Sequence, residues 1–248
     1  MTERVVVVID DDPSVRGLLL GVFESAGFSP VGVQNGVDGV AAAEERHPLI
    51  TTVKVDLPGI DGFETVRRLR AVSDMYIVLV SDHDDEAEAV LGLSIGADDY
   101  ITLPLRPREF RARVDAIVRR SRAVVATSVD VPVPEAAASA PPAALRHLDL
   151  TVDTASRAVW RGASEVSLTP TEYHLLRTLL ESQRRTRSRD DLVMVTRGDD
   201  PEGSYVSDLD RRAIEAHVTN LRRKLGDSAA APLYIETVRG IGYRLTVA

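Results

Sequence analysis

The chain has 248 residues, 44% hydrophobic and 27% charged, with a formal net charge of −8; this leaves room for two modest domains, each with a real core. It contains no cysteine, which excludes a disulfide framework and any thiolate metal site. The opening MTERVVVVIDDD lacks the long apolar stretch of a secretory leader, and no run of ~18 apolar residues occurs, so a cytoplasmic protein with no membrane partner is expected.

The first 120 residues alternate short apolar runs with amphipathic stretches. Val5 to Ile9, Pro30 to Val33, Leu49 to Val55, Tyr76 to Val80 and Tyr100 to Thr102 read as five strands. Ser14–Ala26, Val37–Glu45, Phe63–Ser73, Asp85–Ile95 and Arg106–Arg122 read as helices. Near-continuous β-branched runs suit strands buried on both faces, and the strand–helix repeat implies a parallel sheet with right-handed crossovers. The predicted fold of residues 1–122 is therefore α/β, five-stranded and doubly wound.

Residues 123–144 (AVVATSVDVPVPEAAASAPPAA) break this pattern and read as an extended Ala/Pro-rich linker. From 145 to 248 the character changes. Leu145 to Val166 suits short antiparallel strands. Thr169-Pro170-Thr171-Glu172 supplies an N-cap, a proline at the first helical position and a capping-box glutamate. A second helix is expected from about Ser188 to Val195 and a third from Leu209 to Leu225, stopped by Gly226. LYIETVRGIGYRLTVA closes the chain as a hairpin with a glycine-bearing turn. Three helices and a basic-tipped hairpin describe an α+β winged helix-turn-helix domain.

Charge divides unevenly along this plan. Residues 1–120 carry 13 basic and 21 acidic side chains, whereas residues 145–248 carry 16 basic and 15 acidic ones. Arg211 to Lys224 holds five basic residues against one acid, Glu215. Positive charge able to meet phosphate is thus gathered near the end, and double-stranded DNA is the partner it suggests.

Asp10, Asp11 and Asp12 follow the first strand, where carboxylates face the ligand crevice of α/β sheets. The segments VVVIDDDP, DLPGIDG and GADDYITLPLRPREF resemble the receiver domain of response regulators. With LRRKLG and TVRGIGYRL, nearly the whole chain outside the linker resembles the OmpR/PhoB family. The resemblance implies an acid pair for Mg²⁺ at Asp10 and Asp11 and a phosphate-contacting hydroxyl at Ser81. It places the phosphoaccepting aspartate at Lys54, four residues before Pro58, and the conserved lysine at Leu103, just before Pro104. Asp82 stands where a small residue is usual, and Tyr100 takes the aromatic-switch position.

An ammonium cannot form an acyl phosphate, and a divalent ion needs carboxylate oxygens in its shell. A charge in a partly desolvated cleft demands a partner, which Asp10, Asp11 or Asp82 can give Lys54. The expectation is a degenerate receiver with no aspartyl phosphorylation, weak or absent Mg²⁺ binding and no other cofactor. No catalytic site is expected: outside this cleft there is no nucleophile–base pair. Two other readings stay open: phosphorylation at Asp56 or Asp61, and a small-molecule ligand of unknown identity replacing phosphate as input.

The resemblance also implies a homodimer through the fourth helix, fifth strand and fifth helix of the receiver. Val90, Leu93 and Ala112 match its apolar patch, and Asp98 or Asp99 can pair with Arg113. Glu109 faces Ala89 where arginine is frequent, and Asp115 replaces a common basic residue, so a weakened dimer is expected.

In RRAIEAHVTNLRRKL, Ile214, Val218, Leu221 and Leu225 recur at helical spacing and form the core stripe. Ala216, His217, Thr219, Asn220 and Arg223 lie on other faces. Asn220 occupies a base-reading position, where asparagine suits adenine. Arg222, Arg223 and Lys224 are assigned to phosphates. Arg239 at the hairpin tip is expected to enter a minor groove, with Thr237 holding the backbone. The family uses the loop equivalent to Arg197–Asp208 to contact RNA polymerase; here it is acidic, at Asp199, Asp200 and Glu202.

Overall fold

The computed structural model describes residues 4–105, 110, 111, 113–115, 117, 144–197 and 206–247. Two compact units result, one from Met1–Asp115 with Ser207–Asn220, the other from Ala116–Val206 with Leu221–Ala248.

In the first unit, β1 (Val5–Ile9), β2 (Ser29–Val33), β3 (Ile50–Lys54), β4 (Tyr76–Ser81) and β5 (Asp99–Thr102) form one sheet in the order β2-β1-β3-β4-β5. All four pairings are parallel. The β-branched runs read from the sequence explain why: every residue of β4 is buried, and Val6, Val7, Val8 and Val53 have no exposed surface. Helices α1 (Pro13–Ser25), α2 (Gly36–Arg46), α3 (Gly62–Val72) and α4 (Glu86–Ile95) make the crossovers. Each begins at a side-chain cap, Asp12, Asn35, Asp61 and Asp85 respectively, whose oxygen accepts backbone N–H groups of the first turn. Gly96, at φ 129°, ends α4 in a conformation that favours glycine.

The sheet register fixes the cleft. Ile9 pairs with Val53, and Lys54 pairs with Val80. Asp10 and Asp11 after β1, Lys54 at the end of β3 and Ser81 at the end of β4 therefore meet at one edge, outside the carboxyl ends of the strands. Gly62 shapes the floor: its N–H donates to Val55 O at 2.7 Å, and a Cβ there would sit 2.4 Å from Lys54 O. The described residues of the fifth helix include Phe110, which meets Phe23 edge-on at 5.4 Å. Glu109, Ala112 and the proposed linker up to 143 lie outside the described residues.

The second unit opens with an antiparallel sheet of β6 (Ala144–His147), β7 (Leu150–Asp153), β8 (Val159–Arg161) and β9 (Ser164–Glu165). Helix α5 (Pro170–Ser182) has both halves of its capping box, Glu172 N to Thr169 Oγ1 and Thr169 N to Glu172 Oε2. Then come α6 (Arg189–Arg197), α7 (Asp208–Leu225), whose residues up to Asn220 belong to the first unit and the rest to the second, and the hairpin β11 (Ile235–Val238) and β12 (Gly242–Leu245). Ile214, Val218, Leu221 and Leu225 on α7 are all buried.

One strand departs from the sequence reading. β10 (Arg187–Ser188) pairs antiparallel with β12, giving a three-stranded sheet in the order β10-β12-β11. Two residues show no alternation, so periodicity cannot reveal such a strand. Gly242 makes the approach feasible: a Cβ on it would stand 1.9 Å from Arg187 O. Past α7, one side chain gathers the chain again. Asp227 accepts from Ser228 N (2.8 Å), Leu233 N (2.7 Å), Tyr234 N (3.3 Å) and Ile235 N (2.9 Å). Among the described residues, no helix is long and apolar enough to cross a membrane.

Candidate functional site

Two places bring together residues singled out in the sequence. The first is the receiver cleft. Lys54 Nζ donates to Asp11 Oδ1 at 2.8 Å and lies 4.0 Å from Asp82 Oδ2. The hydrogen bond it donates to Asp11, outweighing partial burial, holds the Lys54 ammonium above its ordinary pKa. It is a fixed cation at any physiological pH. Asp10 beside it is 1% exposed; Oδ1 accepts from Asp12 N at 2.9 Å, and Oδ2 has no partner. Burial raises the Asp10 carboxyl above the usual carboxylate value, against the lowering effects of the Asp12 N–H and of Lys54.

The two alternative acids have different surroundings. Asp61 Oδ1 accepts from Glu64 N at 2.7 Å as the cap of α3. Asp56 is exposed, with Oδ2 3.7 Å from His83 Nδ1. Leu103 leads into Pro104 through a cis peptide bond.

Ser81 and Tyr100 converge on a residue that sequence reading passed over, Glu88 of α4. Its Oε1 accepts from Ser81 Oγ at 2.6 Å and from Tyr100 OH at 2.5 Å. Ser81 Oγ in turn accepts from His83 N at 3.1 Å. Tyr100 OH also lies 3.2 Å from His83 O, but its single proton favours the nearer, charged acceptor. Burial, with Glu88 beside it, pushes the Tyr100 phenol far above its ordinary value, so it is a permanent donor. The signal that could have found Glu88 is its spacing: one acid on the inward face of α4, seven residues after the switch hydroxyl.

The residues assigned to a dimer face have varied surroundings. Val90 is half-buried and Leu93 buried. Arg113 Nη1 donates to Asp99 Oδ2 at 2.8 Å, whereas the Asp98 carboxylate is bound to Arg70 and accepts from Ile77 N at 3.0 Å.

The second place is α7 with the hairpin. Within the first unit, His217 Nε2 lies 3.1 Å from Asp98 O, Asn220 Nδ2 donates to Leu93 O at 3.0 Å, and Ala216 is buried. Thr219 is exposed and donates to Glu215 O at 2.8 Å. The three consecutive cations have three different surroundings. Arg223 is exposed. Lys224 pairs with buried Glu172 at 2.7 Å. Arg222 is buried and donates to Ile235 O and Thr237 Oγ1. Arg239 is exposed beside Gly240, whose φ of 75° forms the turn. The acidic loop residues Asp199, Asp200 and Glu202 lie outside the described residues. Among the described residues, no group of three His, Asp or Glu side chains has the arrangement of a metal site.

Residues 6–115 match the response regulator receiver domain, and residues 163–245 match the C-terminal domain of transcriptional regulatory proteins. The chain belongs to the response regulators of OmpR/PhoB type. It is 33% identical over 244 residues to the DNA-binding response regulator MtrA of Mycobacterium tuberculosis, covering 98% of this chain and 97% of that protein. It is also 33% identical over 241 residues to the alkaline phosphatase synthesis transcriptional regulatory protein PhoP of Bacillus subtilis, covering 97% and 95%. Among solved structures, a RitR mutant shares the fold with a TM-score of 0.72 at 20% identity, covering 99% of this chain and 100% of that one.

Proposed function

We propose that this protein is a sequence-specific DNA-binding regulator of transcription whose receiver works without aspartyl phosphorylation. The observation that carries the second half is the Lys54 ammonium, 2.8 Å from Asp11 at the position of the phosphoacceptor. An ammonium held above its ordinary pKa has no lone pair to attack a phosphoryl group. With Asp11 spent on Lys54, and an ammonium where a divalent ion would need carboxylate oxygen, the cleft on this reading holds no Mg²⁺. Glu88 meanwhile occupies the switch hydroxyls that phosphate would otherwise recruit.

For the first half, Arg223 on α7 and Arg239 at the hairpin tip are exposed, where they can meet phosphate and groove. A homodimer through the fourth helix, fifth strand and fifth helix of the receiver, a polymerase contact through the loop Arg197–Asp208, and a place in the cytoplasm complete the reading. No catalytic activity is part of it.

The test is intact-mass measurement after incubation with acetyl phosphate and Mg²⁺, paired with selection of duplexes from a random pool. No phosphoryl adduct and unchanged duplex affinity are expected. A stoichiometric adduct that disappears in Asp56→Asn would overturn the phosphate-independent reading.

A further inference from the structure

Arg222, Arg223 and Lys224 are consecutive, so on a helix they point about 100° apart and cannot all track one phosphate strand. Arg223 faces solvent and Lys224 faces Glu172. Arg222 points back into the second unit with 8% of its surface exposed. Its Nη2 donates to Ile235 O at 2.7 Å and Thr237 Oγ1 at 2.8 Å, and its guanidinium carbon lies 5.8 Å from the centre of the Tyr243 ring.

These partners belong to one place in the hairpin. Thr237 on β11 is the register partner of Tyr243 on β12, and Arg239 at the tip is only two residues beyond Thr237. The guanidinium therefore reaches both strands at the Thr237–Tyr243 rung, just below the exposed arginine, and holds β11 again at Ile235 O, two residues further from the tip. Among the described residues, the hairpin's sheet is otherwise extended only by the two-residue strand β10, through Arg187↔Tyr243 and Ser188↔Gly242. Such a short pairing is a weak restraint on the angle of a projecting turn. Both hydrogen bonds leave from Nη2 while Nε has no partner, so what a lysine would forfeit is the planar guanidinium set against the Tyr243 ring.

We propose that Arg222 is a positioning residue for DNA recognition: it sets the wing so that Arg239 reaches its groove while α7 is engaged, and it does not itself neutralise a phosphate. This rests on the DNA-binding reading above. The two roles separate in a double-mutant cycle. The probe is a short duplex selected from a random pool by the wild-type full-length protein, and affinity is read by anisotropy across a salt series. The proteins are wild type, Arg222→Met, Arg239→Ala and the double variant.

For a positioning residue, Arg222→Met weakens binding about as much as Arg239→Ala, roughly tenfold for a lost groove contact. In the Arg239→Ala background it then costs less than about twofold more and leaves the salt slope alone. A phosphate contact gives the opposite: independent losses that multiply, and a slope shallower by about 0.9 in both backgrounds. That result would overturn the proposal.

Two further variants guard against a misfolded methionine variant. Arg222→Lys keeps the charge without the planar group against Tyr243 and is expected to recover at most part of the loss; full rescue by lysine would also overturn the proposal. Thr237→Val removes one acceptor and no charge, and should weaken binding several-fold only while Arg239 is present. If the wild type retains no duplex at all, the DNA-binding reading falls and the positioning role with it.

Discussion

Glu88 shows how much one carboxylate can organise. It accepts two hydroxyl protons from different strands, Ser81 on β4 and Tyr100 on β5, so cutting it to alanine leaves buried Ser81 without its acceptor and leaves Tyr100 only the longer bond to His83 O. Hydrogen bonds to a charged group contribute about 1.5–3 kcal/mol each, and an orphaned buried hydroxyl adds a penalty. Glu88→Ala should therefore destabilise the receiver by about 2–4 kcal/mol in urea unfolding, and Glu88→Gln, which keeps an acceptor oxygen, by about 1 kcal/mol. A loss below about 0.5 kcal/mol for alanine would show that the three side chains are not coupled. Asp10 makes the opposite kind of prediction. A carboxyl whose folded pKa is raised stabilises the fold at pH below the ordinary value of 3.8, and that contribution fades as pH rises through the folded value. At neutral pH the ionised form thus works against folding. Asp10→Asn, which still offers an oxygen to Asp12 N, should raise the melting temperature at pH 7, with the gain gone by pH 3. A fall at pH 7 would mean that attraction to Lys54 outweighs burial. At this scale the cleft was legible: Lys54 among aspartates demands a partner, and Asp11 stands beside it. Glu88 was not, because an acid near a helix start normally reads as complementing the helix dipole.

The elements of the first unit follow from β-branched runs, capping aspartates and glycine stops, and their boundaries shift by only a few residues from the sequence reading. The capping box at Thr169 was equally plain, since its signature is local. β10 was hidden because its cause is not local: it exists where Gly242 lets another backbone come close. Gly242→Ala would force a methyl group against Arg187 O, so β10 must separate or the hairpin must shift. The expected cost is about 1–3 kcal/mol, the range for overpacked sites, visible as a lower melting temperature of the second unit. A variant as stable as wild type would mean that this close approach is not needed for stability.

Taken whole, the chain separates its charges by task. Acids dominate residues 1–120, where they cap helices and surround Lys54, while the exposed cations Arg223 and Arg239 lie beyond residue 220. That partition was visible in the sequence, but the division of labour among Arg222, Arg223 and Lys224 was not, because composition counts charges without showing where they point. Asp227 adds a consequence of another kind. By holding Ser228 N at one side and Leu233, Tyr234 and Ile235 N at the other, its carboxylate closes the exposed stretch Ser228–Ala231 into a side loop. Neither α7 nor β11 depends on that loop's length, and doubling a flexible loop costs only about 0.6 kcal/mol. The point between Ala230 and Ala231 is thus a natural port for foreign sequence. A peptide tag spliced there should leave the melting temperature almost unchanged in the wild type and lower it sharply once Asp227 is replaced by alanine, turning a structural knot into a place where this regulator can carry a reporter.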